Sequence, residues 1–205
     1  MTLFQKLPTE TGSGPHLLEA PLRRAARQSF RAVQPFVLGP RVLDVGSAEG
    51  WIGELVSRQM HHDVQLLDVV DMNRTELPHR LYDGNSIPFP DGAFDTTLVM
   101  LTLHHCTDPE AVLREAIRVT RSRLIITEST YRTTPGRWML WLMDSVVNAC
   151  RSRCLMPEAL HFRRVTEWRA VFREEGLHLR AQRHLSRGLH RHVVFVLDLH
   201  EEDAR

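Results

Sequence analysis

Lysine is nearly missing from this chain. Of its 205 residues, 26 are lysine or arginine, yet Lys6 is the sole lysine. A phosphate loop of the G-x-x-x-x-G-K-[ST] kind is thereby excluded, as is the Tyr-x-x-x-Lys pair that short-chain dehydrogenases use. Cysteine is scarce as well. Cys106, Cys150 and Cys154 make no disulfide framework. Together with His104 and His105 they complete no standard zinc spacing, because no second tight Cys or His pair accompanies them, so no metal is expected. No apolar run approaches the ~20 residues of a membrane span. Met1 to Gly14 lacks a basic-then-apolar pattern, so no secretory signal is expected and the expected location is cytoplasmic. The formal net charge is only +1, so bulk electrostatics point to no partner. There is no internal repeat.

What is present is an ordinary globular composition, 42% hydrophobic and 25% charged. The length suits one α/β domain with a sizeable core. Residues 1–15 read as a mobile tail, and 16–205 as a single domain with a helical lid or insertion at about 132–165. Leu18, Leu22, Ala25, Ala26, Phe30 and Val33 share a stripe that predicts a helix over 16–36. Strands are predicted near 41–45, 64–68, 80–82, 95–101 and 123–128, and helices over 50–60 and 109–119. Asp108 is a candidate N-cap for the second of these, with Pro109 in its first position. Such alternation gives a parallel sheet covered on both faces. After Glu128 the pattern changes to helices over 138–149 and 166–175, then strands over 177–185 and 192–199 that read as a hairpin.

The stretch Arg41 to Gly53 says most about function. An apolar strand ends in a turn bounded by Gly46 and Gly50, and a helical pattern follows. Glycines there let backbone approach a ligand where a Cβ would intrude. The next helix aims its unpaired N–H groups at the same place. This is the entry unit of a nucleotide-binding α/β domain. The dinucleotide fingerprint G-x-G-x-x-G is absent, since the glycines fall at 46, 50 and 53. The turn carries Glu49 in place of a cation, which suits a ligand bearing positive charge better than a pyrophosphate. Asp68 ends the second strand, where an acid can accept both hydroxyls of a ribose, with Asp71 as a rival. Asp83 closes the third strand, and its carboxylate can accept from an exocyclic amine. The fourth strand exits through Leu103-His104-His105.

In this order these elements resemble the class I S-adenosylmethionine-dependent methyltransferases, particularly the broad small-molecule group. The resemblance runs from about Arg41 to Glu128, and more loosely to Leu199. It implies a Rossmann-like, doubly wound, mostly parallel sheet of about seven strands with a C-terminal antiparallel hairpin. It also implies S-adenosylmethionine as cofactor. Carried over residue by residue, the turn from Asp44 through Gly46, Ser47 and Ala48 to Gly50 would cradle the methionine end. Asp68 and Val69 would hold the ribose. Asp83 and Gly84, ahead of Ile87-Pro88-Phe89-Pro90-Asp91, would recognise adenine, and Met100 would close the cofactor site from the fourth strand. Asp44 has two open roles, bracing the turn or touching the ligand. The departure is Ala48, where many members have glycine.

In this architecture residues just past the fourth strand face the transferable methyl. His104 and His105 are therefore the candidate bases, since an imidazole near its ordinary pKa of about 6.5 takes a proton at physiological pH. Packing or loop hydrogen bonding is the alternative role for each. Trp138 and Trp141, in a markedly apolar segment, are candidates for the wall of a hydrophobic acceptor. A buried helix or a homodimer face is the alternative. The C-terminal part is rich in arginine, but with little aromatic interleaving it reads as solvated helix faces rather than a nucleic-acid track. Arg163 is the candidate to hold an acceptor carboxylate, with Arg164 equally suited. The expected activity is methyl transfer to a small, partly hydrophobic acceptor. RNA methylation and a non-catalytic cofactor-binding subunit are the alternatives.

Overall fold

A computed structural model describes residues 19–152, 161–186 and 191–200, without the side chains of 147–152. The tail expected over 1–15, Cys154 and the lid segment 153–160 lie outside the described residues, as does the side chain of Cys150. Seven strands form one sheet: β1 (Arg41–Val45), β2 (Asp63–Asp68), β3 (His79–Leu81), β4 (Phe94–Met100), β5 (Thr120–Thr130), β6 (His178–His184) and β7 (Arg191–Asp198). Their order is β3-β2-β1-β4-β5-β7-β6. The first five run parallel, and β7 lies antiparallel between β5 and β6. The mostly parallel sheet with its C-terminal hairpin is the architecture expected from the sequence.

Side-chain alternation explains why these segments are strands. Along β7, Val193, Phe195 and Leu197 face one core and Val194 and Val196 the other. The first core is closed by α3 (Pro109–Val119) and α5 (Val165–Glu174), through Leu113, Trp168 and Phe172. The second is closed by α1 (Glu19–Val33) and α2 (Trp51–Met60), through Phe30, Val33 and Val56. Asp108 caps α3 as the sequence suggests, its Oδ1 accepting from the Ala111 N–H at 2.9 Å. β5 is longer than expected. Its polar Thr127 to Thr130 end is buried because every residue there pairs with β7.

From β1 the chain steps to β2 on one side, whereas β4 lies on the other. At this reversal the loops following β1 and β4 diverge, and a crevice opens at the carboxyl ends of the strands. The remaining helix, α4 (Thr134–Ser152), follows β5. Of its side chains up to Val146 only Leu140 is fully buried, while Trp138 is 67% and Trp141 43% exposed. The buried-helix alternative for this segment therefore does not hold. Among the described residues no helix is long and apolar enough to cross a membrane.

Candidate active site

The turn after β1 is built from left-handed backbone. Gly46, Ala48 and Gly50 have φ of 69°, 49° and 78°. The sequence suggests that the glycines make room for a ligand, but protein atoms already fill that room. A Cβ on Gly46 would meet Thr102 Oγ1 at 2.3 Å, and one on Gly50 would meet Leu66 Cδ1 at 2.7 Å. Ala48 departs from the family pattern at a position whose backbone favours glycine. Ala48→Gly is accordingly expected to stabilise the fold by about 1 kcal/mol, read from urea unfolding midpoints. An unchanged or lower midpoint would count against strain at this residue.

Asp68 ties the turn to the end of β2. Its Oδ2 accepts from the Ala48 N–H at 2.7 Å, and its Oδ1 accepts from Val69 at 2.7 Å and Val70 at 3.2 Å. The carboxylate is 7% exposed. Asp71 is mostly exposed and sits 3.6 Å from His79 Nδ1. Asp44 lies beneath the turn, 2% exposed, and accepts from the Gly53 N–H. Burial, reinforced by the charge of Asp68, pushes its pKa up to about 7. The folded protein thus holds that proton more tightly than the unfolded chain. This stabilisation is complete below pH about 4 and is lost as pH rises through about 7, by on the order of 3–4 kcal/mol. Asp44→Asn should match the wild type at pH 4 and exceed it in stability at pH 8. A constant difference across that range in denaturant titrations would overturn the assignment.

Two buried donors at the turn, Ser47 Oγ and Trp51 Nε1, have no hydrogen-bond partner among the described residues. Across the crevice, Val69 is 45% exposed, and its Cγ1 lies 3.2 Å from where a Cβ of Gly84 would stand. Asp83 is exposed, and its Oδ1 accepts from Asn85 at 2.9 Å and Ser86 at 3.0 Å, bonds that lower its pKa. It lies two positions beyond β3 rather than closing it. Met100 packs into the core, and its sulfur accepts from Thr127 Oγ1 at 3.4 Å.

β4 is followed by Leu101, another left-handed residue with φ 59°, and then by a 3-10 turn over Leu103–His105. His104 is 1% exposed. Its Nδ1 meets Glu128 Oε2 at 2.6 Å, while Glu128 Oε1 accepts from the Leu103 N–H at 2.9 Å. Burial pulls the His104 pKa down, but Glu128 and then Asp144 more than offset this and hold it at about 9. A ring already protonated at neutral pH offers no lone pair to a substrate proton. Glu128 thus braces the turn after β4 through both His104 and Leu103. His105 lies beside His104, tilted by 43° with ring centroids 4.1 Å apart, and its Nε2 reaches Asp144 Oδ2 at 3.5 Å. Adjacent histidines are expected to point different ways, yet here both reach Asp144. Burial raises the Cys106 thiol to about 12, so it is no thiolate at neutral pH.

Arg163, the candidate for an acceptor carboxylate, stands among protein partners. Its guanidinium is ion-paired with Glu110 and lies 4.9 Å over the Trp168 ring. Other arginines of this region are similarly engaged, Arg123 and Arg180 with Asp198 and Arg169 with Gln182. A cavity of about 430 Å³ opens elsewhere, between the end of β5, α5 and the hairpin, and is lined by Tyr131, Arg132, Arg164, His184 and Arg191. Sequence reasoning missed Glu128 and Asp144. An acid shortly after the apolar run Leu124-Ile125-Ile126 was the available signal for Glu128.

Residues 43–126 match the family model described as a methyltransferase domain. Ubiquinone biosynthesis O-methyltransferase of Xylella fastidiosa (strain M23) is 28% identical over 182 residues, 80% of this chain and 72% of that protein. Demethylmenaquinone methyltransferase of Streptomyces griseus is 35% identical over 88 residues, 40% of this chain and 38% of that protein. In fold, the chain is similar to one from the complex between the Haloferax volcanii Trm112 methyltransferase activator and its methyltransferase partner. The TM-score is 0.69 at 17% identity, covering 89% of this chain and 92% of that one.

Proposed function

Because this chain belongs to the class I S-adenosylmethionine-dependent methyltransferases, we propose that it methylates a small, lipophilic, hydroxyl-bearing acceptor at the exit of β4. S-adenosylmethionine supplies a methyl group already activated on a sulfonium, so the protein's task is to bind, align and desolvate. The residues at the crevice fit that cofactor. Ser47 Oγ and Trp51 Nε1 lack protein partners, and a ligand with polar groups at the turn would satisfy them. Asp68, at the end of β2, places a carboxylate where a cationic ligand is favoured. Asp68 would accept from the ribose. Val69 would offer an apolar face to the base, and Asp83, through the oxygen not used in its own turn, would accept from the exocyclic amine.

On the acceptor side, His105 and Asp144 form a dyad that would engage the acceptor hydroxyl, with His104 and Glu128 fixing the turn that carries it. The observation carrying the acceptor class is the exposed apolar face of α4. Trp138, Trp141 and Leu142 stand in solvent on the helix that supplies Asp144, and a lipophilic ring would cover such a surface. The names of the quinone-pathway relatives agree with an acceptor of this kind.

The test is radiolabelled methyl transfer from S-adenosylmethionine to a panel of lipophilic phenols and quinols, with RNA and hydrophilic amines as comparisons. Label in the phenol fraction supports the reading, and label confined to RNA or amines overturns it. Trp138→Ala and Trp141→Ala should lower kcat/KM by about tenfold or more, with S-adenosylhomocysteine affinity and thermal midpoint nearly unchanged, because neither ring is buried. Wild-type turnover in both variants would remove α4 from the acceptor site.

A further inference from the structure

We propose that His104 and His105, at the exit of β4, and Asp144 of α4 together bind one divalent transition-metal ion of the zinc class. The three side chains offer ligand atoms that all lie within 4.8 Å of one another. His104 Nε2 stands 3.7 Å from Asp144 Oδ1, and His105 Nε2 stands 3.5 Å from Asp144 Oδ2. Donors on a tetrahedral zinc ion with bonds of 2.0–2.1 Å sit about 3.3 Å apart. The two contacts to Asp144 need a contraction of a few tenths of an ångström, and the widest separation in the set, at most 4.8 Å, one of up to about 1.5 Å, to close around an ion. Two imidazoles and one carboxylate favour zinc, cobalt or iron over magnesium or calcium, which prefer oxygen alone.

The support around the rings is what a metal ligand needs. A ligating histidine commonly donates its other ring N–H to a carboxylate, which fixes ring and tautomer. His104 has this arrangement through Nδ1 and Glu128 Oε2 at 2.6 Å. The ring is also stacked on Phe162, centroids 4.9 Å apart, and its backbone carbonyl accepts from the His161 N–H at 2.8 Å. This leaves His104 Nε2 buried, aimed at Asp144, and without a hydrogen-bond partner among the described residues. Coordination uses the Nε2 lone pairs of both rings and releases to solvent any proton held there. An ion so held would tether α4 to the β4 exit. Three protein ligands leave it one open position. Resting on the methyl-transfer reading, that position suits the acceptor hydroxyl.

The test uses the full chain without an affinity tag, stripped with chelator and dialysed against zinc, then against cobalt. The wild type is expected to retain one equivalent of zinc, and cobalt is expected to give the intense visible bands of a four-coordinate site. Asp144→Asn and His105→Gln should each weaken zinc binding at least tenfold and abolish the cobalt bands. His178→Gln, on the exposed edge strand, should change neither. Thermal unfolding of the stripped variants and S-adenosylhomocysteine titration run in parallel. If the variants fold and take up zinc as the wild type does, or if the wild type retains no stoichiometric ion, the proposal fails whatever the cofactor result. Metal uptake without any S-adenosylhomocysteine binding would instead overturn the methyl-transfer reading and leave the site standing.

Discussion

Asp68→Ala is expected to lower folding stability by about 3 kcal/mol and cofactor affinity at least tenfold. The stability term comes from three backbone N–H groups, those of Ala48, Val69 and Val70, that lose a charged acceptor at once. The affinity term comes from the ribose. A carboxylate accepts about four hydrogen bonds, so three backbone donors leave roughly one site. To accept two ribose hydroxyls, Asp68 must release its longest bond, to Val70 at 3.2 Å. Asp68→Asn separates the two effects, because an amide keeps one acceptor oxygen for the backbone but turns a donor toward the other partners. Asp71→Ala, an exposed change, should alter neither quantity appreciably. Denaturant unfolding and S-adenosylhomocysteine calorimetry on the three variants give the ranking. Equal effects at Asp68 and Asp71 would remove Asp68 from the cofactor site.

The second large effect is expected at Glu128. Glu128→Ala removes the acceptor for the Leu103 N–H and the counter-charge of a fully buried imidazole. Breaking one side of a buried pair typically costs about 3–5 kcal/mol, because the partner remains buried and uncompensated. Glu128→Gln preserves shape and one acceptor, and should cost less than half as much. Urea unfolding of both variants checks this. A loss below about 1 kcal/mol in the alanine variant would mean that His104 is held by packing against Phe162 alone.

These two carboxylates show what could and could not be read from sequence. Asp68 was visible because it ends a strand whose apolar run announces it, and a strand end in a parallel sheet has a fixed place beside the crevice. Strand β7 was visible for a similar local reason, the continuous apolar run Val193 to Leu197. The partnership of His104 with Glu128 and Asp144 was not visible. It joins the exits of two neighbouring strands to a helix that follows them, and nothing local in any of the three segments names the others. Arg163 shows the same limit for a charged residue. Its charge suggested a ligand, but α3 brings Glu110 against it and the Trp168 ring lies beneath it. The glycines at 46 and 50 were rightly placed in the turn for a reason that proved incomplete. Their missing side chains make room for Thr102 and Leu66.

That fit of Thr102 into the notch at Gly46 bears on how a ligand reaches the crevice. The threonine hydroxyl also donates to the Val45 carbonyl at 3.2 Å, so the two rims are buttoned together at their base. An aperture fastened at its floor widens only from above, by displacement of what overhangs it. Of the helices beside the turn, α1 sets Arg23 4.7 Å over the Trp51 ring. Admission and release would then follow the tempo of helix rearrangement, while the sheet beneath keeps its shape from one turnover to the next.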